Sequence, residues 1–316
     1  MKPQGNSAAK GNAAKQALAC WEGETLSLQH LGASPSMVFK ATIAGRDHAL
    51  RLTEPAFRTR SLIEAECDFV DFLASRGIAV ARPIRSTSGN WVEKVANGPD
   101  HVYASVTSWA PGSQVEAGSP QWTESFIRAW GRSLGAIHTV SVSYRPPGPR
   151  RWHWREEGWI ANAENLFNPE DKEVRTVFAQ LLSELASIPE KPGEFGLIHG
   201  DHWPQNFHYD PEGRITHFDF ENCRYHWFLA DAIGGLSILR HVDGGQAGKQ
   251  CDWFLGAYQQ RFELVPAMWE HRVRLLRLQR FYAYLSRLDL FDKPATEEQQ
   301  QTLLQLRRRA LQAIEW

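Results

Sequence analysis

The chain changes character at "APGSQVEAGSP" (Ala110–Pro120), a joint rich in glycine, proline and serine. Short β-prone runs precede the joint, whereas longer segments with helical spacing of apolar residues follow it. A length of 316 residues also favours two lobes over a single core. The sequence therefore predicts a flexible tail over residues 1–20, a first lobe over residues 21–109 and a second lobe over residues 110–316.

The first lobe is predicted to be a small antiparallel sheet with one helix. "MVFKATIAGRDHALRL" (Met37–Leu52) indicates a hairpin, because two β-rich runs flank a turn that contains glycine and aspartate. Apolar residues at helical spacing predict a helix within residues 56–77, which ends at Gly77. Three short extended runs follow before the joint.

The second lobe is predicted to be mainly helical, so the fold class is α+β. Ser119 is placed as the N-cap of a helix that runs to about His138, with Pro120 at its first position. Three further amphipathic helices are predicted in this lobe. They lie within residues 169–188, 270–291 and 297–314. One two-strand unit, built from residues 195–210 and 214–220, interrupts the helices.

Composition excludes several classes of protein. The formal net charge of −1 argues against a general nucleic-acid binder, which needs a basic field. Four scattered cysteines without CxxC spacing indicate neither a disulfide framework nor a zinc knuckle, and they fit a reducing compartment. No apolar run approaches the roughly 20 residues of a membrane span. We therefore expect a cytoplasmic protein without nucleic-acid or membrane partners, and the sequence leaves its oligomeric state open.

The segment "LIHGDHWPQNFHYD" (Leu197–Asp210) places loop chemistry between two β-prone runs. Asp201 precedes Asn206 by five positions, and Asp219 ends the later run "RITHFDF". Asp201 and Asp219 lie where strands pass into loops, so we expect their side chains to converge at one rim. Asp and Asn oxygens suit a hard cation such as Mg²⁺, which takes one or two protein carboxylates. Asp201 then remains to orient a hydroxyl and accept its proton.

These motifs resemble a known family. "HGDHWPQN" (His199–Asn206) matches the H-G-D-x4-N catalytic loop of the aminoglycoside phosphotransferase and choline kinase group, which are relatives of the protein kinases. "HFDFEN" (His217–Asn222) is similar to the metal-binding strand end of that group, and Asp231 in "LADAI" matches an aspartate that braces the catalytic loop. The resemblance covers most of Leu26–Leu290 and implies a bilobal protein-kinase-like fold.

The resemblance also implies roles for individual residues. It makes Asp201 the catalytic base or hydroxyl positioner, and Asn206 and Asp219 the Mg²⁺ ligands. Arg51 falls at the position of the kinase lysine, and Glu66 matches its acidic partner. The cofactors implied are ATP and Mg²⁺, and the acceptor is a hydroxyl of a small molecule, with a protein serine or threonine as a further candidate.

"TSWAPG" (Thr107–Gly112) resembles the hinge of the family, which implies that the Ser108 carbonyl and the Ala110 amide contact adenine. The chain departs from the wider kinase pattern at two places. No GxGxxG is present, and "LGASPSMVF" (Leu31–Phe39) stands where the phosphate-covering loop is expected. Arginine replaces lysine at position 51, and a guanidinium can still bind phosphate bidentately.

Two alternatives remain open at this point. The first is a pseudokinase, a nucleotide-binding scaffold without catalysis, which Arg51 and the missing glycines favour. The second is a metallohydrolase, because "HGDH" is similar to part of the H-x-D-H segment of binuclear metal sites. The acceptor is also open. Five arginines (Arg272, Arg274, Arg277, Arg280 and Arg287) form either a solvated helix face or a basic set near the acceptor, and the second interpretation argues against a polycationic aminoglycoside.

Overall fold

The computed structural model describes residues 7–30, 36–242 and 246–314. The strands in this part of the chain are β1 Glu24–His30, β2 Met37–Ile43, β3 Arg46–Thr53, β4 Pro83–Ile84, β5 Glu93–Asn97, β6 Asp100–Ser108, β7 Phe195–Ile198, β8 Phe207–Tyr209, β9 Ile215–His217 and β10 Arg224–Trp227. The helices are α1 Ser7–Ala19, α2 Arg60–Ser75, α3 Glu124–Ser141, α4 Gly158–Ala161, α5 Ala163–Leu166, α6 Lys172–Ala186, α7 Leu229–Val242, α8 Ala247–Gln259, α9 Pro266–Trp269, α10 Arg272–Leu290 and α11 Glu297–Leu311.

The chain forms two compact units that are discontinuous in sequence. The first unit comprises residues 1–115, 144–151 and 204–221, and the second comprises residues 116–143, 152–203 and 222–316. The first boundary lies close to the predicted joint. Residues 144–151 and 204–221 differ from the prediction, because they group with the N-terminal residues although they follow the joint in sequence.

The first unit contains an antiparallel sheet of six strands. Its order is β1-β2-β3-β6-β4, and β5 also pairs with β6. The predicted hairpin is present as β2 and β3, and Ala44 and Gly45 form its turn with φ of 48° and 72°. Two successive positive φ values are typical of a hairpin turn whose twist matches that of the strands. The sheet, with α2, gives the small antiparallel lobe that was predicted.

The N-terminal residues differ from the predicted flexible tail. Ser7–Ala19 form helix α1, and Ala13, Ala14, Ala17 and Leu18 of this helix are buried in the core of the sheet. Alanine allows the helix backbone to lie close to the sheet, and it is the strongest helix former. An alanine-rich sequence without an apolar stripe has little amphipathic signal, so the pattern alone did not predict a packed helix. Residues 1–6 lie outside the described residues.

Helix α2 begins and ends at the signals that its sequence contains. The Thr59 side chain caps the first turn by accepting a hydrogen bond from the Leu62 amide. Gly77 follows the helix with φ of 83°, the left-handed conformation that glycine adopts at a helix C-terminus. The buried face of α2 includes Phe69 and Leu73, and it also carries Glu66. A buried carboxylate on an apolar helix face requires a partner, which is described with the site.

The strands around the HGD segment pair differently from the prediction. Strand β7 pairs with β10, and β8 pairs with β9, so the predicted two-strand unit is two separate two-stranded sheets. The stretch from Gly200 to Trp203 connects β7 to the turn before β8. The sequence does not predict a strand at residues 224–227. This strand pairs with β7, and that pairing depends on contacts between residues far apart in the sequence.

The second unit is mainly helical, as predicted, and α6, α10 and α11 lie within their predicted ranges. Helix α3 is an exception, because it begins at Glu124 and not at Pro120. Thr123 is its N-cap and accepts a hydrogen bond from the Phe126 amide, whereas Ser119 and Trp122 form a separate turn. Thr123 satisfies the orphan amide of the first turn, so it replaces Ser119 as the cap.

Helices α3 and α8 pack closely through two glycines. A Cβ atom at Gly131 would overlap the Phe254 carbonyl, and a Cβ atom at Gly135 would overlap the Tyr258 carbonyl. The two glycines are four residues apart, so they lie on the same face of α3. The "GRSLG" segment therefore allows the two helix backbones to approach each other.

The close contact gives a stability prediction. We expect Gly131→Ala to lower the free energy of unfolding by about 1–3 kcal/mol, because the added methyl group must displace the backbone of α8. The matched control is Gly256→Ala, at an exposed position of α8 where an added Cβ meets nothing within 4 Å. That variant should be neutral or stabilised by up to about 1 kcal/mol. Urea unfolding of both variants checks the prediction, and equal effects would contradict it.

No helix in residues 7–30, 36–242 and 246–314 is long and apolar enough to cross a membrane.

Candidate active site

Six of the seven candidate residues line one cavity of about 600 Å³ in the first unit, which we call the Arg51 cavity. They are Arg51, Glu66, Ser108, Ala110, Asn206 and Asp219. The cavity volume falls within the range of about 300–1,000 Å³ that is usual for small-molecule sites. Residues far apart in the sequence therefore meet in one place.

A buried ion pair forms one wall of the Arg51 cavity. Arg51 Nη2 donates to Glu66 Oε2 at 2.8 Å, and the two side chains are 15% and 9% exposed. Burial alone would lower the pKa of the Arg51 guanidinium, but the charge and hydrogen bond of Glu66 and the charge of Glu221 raise it. The arginine thus keeps its charge at every physiological pH. The predicted partnership between positions 51 and 66 is present.

Arg151 and Ser36, which are not in the lining of the cavity, connect the segments beside this ion pair. Arg151 is 1% exposed and donates to the backbone carbonyls of Leu62 and Glu221, so it joins helix α2 to the end of "HFDFE". The Ser36 hydroxyl donates to the Glu221 carboxylate at 3.2 Å. Arg151 belongs to a tryptophan- and arginine-rich stretch whose pattern gave no indication of this role. Of the segment Leu31–Phe39, residues 31–35 lie outside the described residues.

The predicted hinge positions border the same cavity. The Ser108 amide donates to the Arg82 carbonyl, and the Ala110 carbonyl accepts a hydrogen bond from His208 Nδ1 at 2.8 Å. The Ala110 amide has no hydrogen-bond partner among the described residues. A donor at this position can bind an acceptor atom of a ligand. The sequence did not predict the role of His208, which fixes the Ala110 carbonyl.

Asn206 and Asp219 lie at the same end of one strand pair. Strand β8 begins at Phe207, which pairs with His217 at the end of β9. Asn206 precedes β8 and Asp219 closely follows β9, so antiparallel pairing brings them together, and the Phe218 amide donates to the Asn206 carbonyl at 3.0 Å. Asp219 has φ of 61°, a left-handed conformation that is uncommon outside glycine and is found at functional sites.

Asp201 differs from the other candidates because it belongs to the second unit, where it lines a different cavity. Its position follows from the turn that precedes it. Gly200 has φ of 81°, and a Cβ atom there would overlap the Asn222 carbonyl. The backbone amides of His199 and Gly200 both donate to the Asp231 carboxylate, at 2.8 Å and 2.9 Å. Asp231 therefore braces the turn before Asp201, the role that the resemblance implied.

Asp231 is held by a buried network. His138 Nε2 lies 3.4 Å from Asp231 Oδ2, and His138 Nδ1 lies 2.7 Å from the Tyr258 hydroxyl. Burial lowers the pKa of His138, so the neutral ring donates through Nε2 and accepts from Tyr258. Burial would raise the pKa of the Asp231 carboxyl, but hydrogen bonds from His138 and Gly200 outweigh it and lower the pKa. The sequence did not predict the contributions of His138 and Tyr258, which lie 93 and 27 residues from Asp231 along the chain.

The histidines of "HGDH" have structural roles. His202 is 4% exposed, and its Nδ1 accepts a hydrogen bond from Trp130 Nε1 at 3.1 Å. The His199 and His202 rings pack edge to face, with centroids 5.3 Å apart. Within the described ranges, no three His, Cys, Asp or Glu side chains are grouped as a metal site. These contacts favour packing over the zinc-binding alternative.

The cavity that contains Asp201 has a volume of about 430 Å³, and we call it the Asp201 cavity. Two tryptophans and four residues with polar side chains contribute to its wall, among other residues. They are Trp159, Trp203, Arg224, Gln279, Tyr282 and Arg287. Of the five arginines between residues 272 and 287, only Arg287 lines this cavity, which favours the helix-face interpretation for the other four. Arg274, for example, forms an ion pair with Glu184 instead.

Comparison with known proteins identifies the family. Residues 27–264 match the model of the phosphotransferase enzyme family, APH. The amicoumacin kinase of Bacillus subtilis is 28% identical over 290 residues, which cover 88% of this chain and 84% of that protein.

Two solved structures of phosphotransferases are also similar to this chain. An amicoumacin kinase in complex with AMP-PNP, Ca²⁺ and Ami has a TM-score of 0.85 and 26% identity over 94% of this chain and 91% of that chain. The choline kinase LicA of Streptococcus pneumoniae has a TM-score of 0.65 and 16% identity over 96% and 99% of the two chains, which shows the fold alone.

The chain belongs to the phosphotransferase enzyme family, since the family model matches most of its length. The predicted α+β, protein-kinase-like fold and the predicted membership of the aminoglycoside phosphotransferase and choline kinase group are confirmed. The predicted enzyme class, a phosphotransferase with an alcohol group as acceptor, is confirmed as well. The metallohydrolase alternative is therefore wrong.

Proposed function

We propose that this enzyme transfers the γ-phosphoryl group of ATP to a hydroxyl group of a small molecule, with Asp201 as the base. The observation that carries this proposal is the Arg51 cavity, whose wall contains six candidate residues of the nucleotide and metal sites. The amicoumacin kinase complex with AMP-PNP and Ca²⁺ supports ATP and a divalent cation as cofactors.

The residues present fit a hard divalent cation. Asn206 and Asp219 contribute one amide oxygen and one carboxylate at the same end of the β8–β9 pair. Mg²⁺ commonly takes one or two protein carboxylates and completes its shell with phosphate oxygens and water. We propose Asn206 and Asp219 as its protein ligands. When bound, the cation would neutralise charge on the phosphates of ATP.

Arg51 would act on the nucleotide through its fixed charge. Glu66 orients the guanidinium and keeps it protonated, so donors are available to a phosphate oxygen. The Ala110 amide would donate to the nucleobase. These two interactions would hold the nucleotide along the cavity wall, and positioning is the main contribution of a protein to phosphoryl transfer.

Asp201 would act on the acceptor. An ionised carboxylate in the wall of the Asp201 cavity can accept a hydrogen bond from the substrate hydroxyl and then its proton. The hydroxyl oxygen forms a bond to the γ-phosphorus while the bond from that phosphorus to ADP breaks. The size of this cavity suits a small molecule, which supports a metabolite-sized or antibiotic-sized acceptor over a protein serine or threonine.

A calorimetric experiment tests the nucleotide part of the proposal. We expect wild-type protein to bind ATP in a Mg²⁺-dependent manner, and Asp219→Ala to weaken that binding by tenfold or more, because it removes the only carboxylate among the proposed metal ligands. Titration with GTP in parallel determines the base preference. The control is Asp100→Ala, at an exposed position at the start of β6.

Two outcomes of the titration are informative. Mg²⁺-dependent binding that Asp219→Ala weakens and Asp100→Ala does not weaken supports the metal site. Nucleotide binding that depends neither on Mg²⁺ nor on the substitution would refute the proposed ligands. In a separate transfer assay, nucleotide binding without phosphorylation of any hydroxyl compound would favour the pseudokinase alternative.

A further inference from the structure

We propose that Arg224 and Tyr282 recognise the acceptor by donating hydrogen bonds to one carbonyl or carboxylate oxygen of it. The inference rests on the proposed function, because it takes the Asp201 cavity as the acceptor site. It narrows the acceptor to hydroxyl compounds that also carry such an oxygen, and it makes these two residues determinants of specificity.

Tyr282 offers a buried donor without a partner. It lies on α10 and lines the Asp201 cavity, and its hydroxyl is shielded from solvent with no hydrogen-bond partner in the described part of the chain. Burial raises the pKa of this phenol, so it remains protonated and can donate. Buried hydroxyls in folded proteins are nearly always paired, and a ligand oxygen in the cavity would complete this one.

Arg224 offers a second donor beside the first. Its Nη1 and Nη2 donate to the carbonyls of Asn222 and Gly200, at 3.3 Å and 3.1 Å, which fixes the plane of the guanidinium. Its Nε is buried and has no partner among the described residues. The guanidinium carbon lies 4.6 Å from the centroid of the Tyr282 ring. The two unpaired donors thus belong to side chains in direct contact.

The charges around the cavity nearly cancel, so the unpaired donors decide which ligand group fits. Asp201, Asp231, Arg224 and Arg287 line the cavity, and the carboxylate of Asp231 accepts hydrogen bonds from two backbone amides. The buried Glu157 also acts electrostatically on both Arg224 and Tyr282. His226 is kept neutral, because burial and the neighbouring Arg224 lower its pKa well below the usual value. An oxygen that only accepts hydrogen bonds therefore fits the two donors, whether it is charged or neutral.

The aromatic residues guide the choice of probe. Trp159 and Trp203 line the same cavity, and Trp203 is 43% exposed. Exposed tryptophan faces suit a planar ring. The probes are therefore benzyl alcohol, which has a hydroxyl only, and its para-carboxylate and para-carboxamide derivatives, which add one charged or one neutral oxygen acceptor. L-threonine and its decarboxylated analogue aminopropanol form a second pair without a ring.

The experiment measures kcat and KM for phosphorylation of each probe by wild type, Tyr282→Phe and Tyr284→Phe. The first variant removes only the unpaired hydroxyl. The second makes the same change on α10 at a position that does not line the cavity. We expect wild type to show a KM about tenfold lower for the oxygen-bearing member of a pair, which corresponds to about 1.4 kcal/mol. Tyr282→Phe should bring the ratio of the two KM values close to one, and Tyr284→Phe should preserve it.

The benzyl alcohol probes distinguish a charged carboxylate oxygen from a neutral carbonyl oxygen as the group that the site recognises. A larger preference for the carboxylate assigns a charged ligand group, and equal preferences for carboxylate and carboxamide assign a neutral carbonyl. Arg224→Lys keeps the charge but removes Nε and the hydrogen bonds to the Asn222 and Gly200 carbonyls. Loss of the preference in this variant would therefore support the Nε hydrogen bond where kcat for the probes without the extra oxygen stays at the wild-type level. The Tyr282→Phe protein should melt no lower than wild type, because the missing hydroxyl made no hydrogen bond within the described chain.

Failure of the inference can be told apart from failure of the proposed function. A wild-type preference for the probes without the extra oxygen, or an equal change in all KM values with Tyr282→Phe, would overturn the inference alone. So would the absence of any phosphorylated probe from a protein that binds Mg²⁺-ATP. Absence of nucleotide binding would overturn the proposed function, and the inference with it.

Discussion

Asp201→Asn is expected to lower the rate of phosphoryl transfer by about 10²–10⁴-fold while nucleotide affinity remains within about twofold of wild type. Asparagine has nearly the same size and still contacts a substrate hydroxyl, but it cannot accept the proton at neutral pH. Asp201 does not line the Arg51 cavity, so the change should not affect ATP binding directly. Steady-state kinetics and nucleotide calorimetry on the same preparation measure the two quantities.

The matched control is Asp252→Asn, which makes the same change at an exposed position of α8. This variant should transfer phosphate at the wild-type rate. An Asp201→Asn enzyme that keeps wild-type kcat would remove the assigned role. Equal loss of nucleotide affinity and rate would show that the substitution disturbs the fold and does not isolate the base.

The second large effect is expected in stability. Asp231→Ala should lower the free energy of unfolding by about 3–5 kcal/mol, because it leaves the buried amides of His199 and Gly200 and the ring of His138 without their acceptor. Asp231→Asn keeps one acceptor oxygen, so it should lower the free energy of unfolding by less, about 1–3 kcal/mol. Urea unfolding gives both values.

The pH dependence of unfolding provides an independent check on the same network. The pKa of Asp231 is lowered in the folded state, so its contribution is present above the unfolded-state pKa and is lost as the pH falls through the folded-state value. The lowered pKa of His138 adds to the loss in acid, because the unfolded chain binds that proton more tightly. Asp231→Asn removes the part of the decline that comes from the carboxylate. It also removes a group that raises the pKa of His138, so the part that comes from His138 should extend to lower pH. A pH profile of unfolding identical in shape to that of wild type would contradict the argument.

Three of the candidate residues could be found from sequence because each lies beside a local signal. Asp201 and Asn206 stand in a short loop after a β-prone run, and Asp219 ends a strand, so spacing and strand ends indicated them directly. Local signals alone do not predict that Arg51 and Glu66 form a pair, because the two residues lie 15 positions apart, one on a strand and one on a helix. Their pairing came from the resemblance, and the structure brings the two side chains together at 2.8 Å.

The features that sequence analysis missed depend on contacts between distant residues. Helix α1 has few large apolar residues, and its burial is set by the sheet that it covers. Arg151, His138 and Tyr282 act through partners far along the chain, so no local period or motif distinguishes them from ordinary core or surface residues. The start of α3 was misplaced for a different reason, because Ser119 and Thr123 are both good N-caps and only the fold selects Thr123.

The discontinuity of the first unit has a consequence for synthesis on the ribosome. Residues 204–221 belong to the same unit as residues 1–115, and more than eighty residues of chain separate the two segments. At translation rates of about 5–20 residues per second, the N-terminal segment waits on the order of ten seconds before its last strands emerge. During that interval the first unit lacks the separate β8–β9 pair and the cavity residues that it carries, so we expect this stage of biogenesis to depend on chaperones.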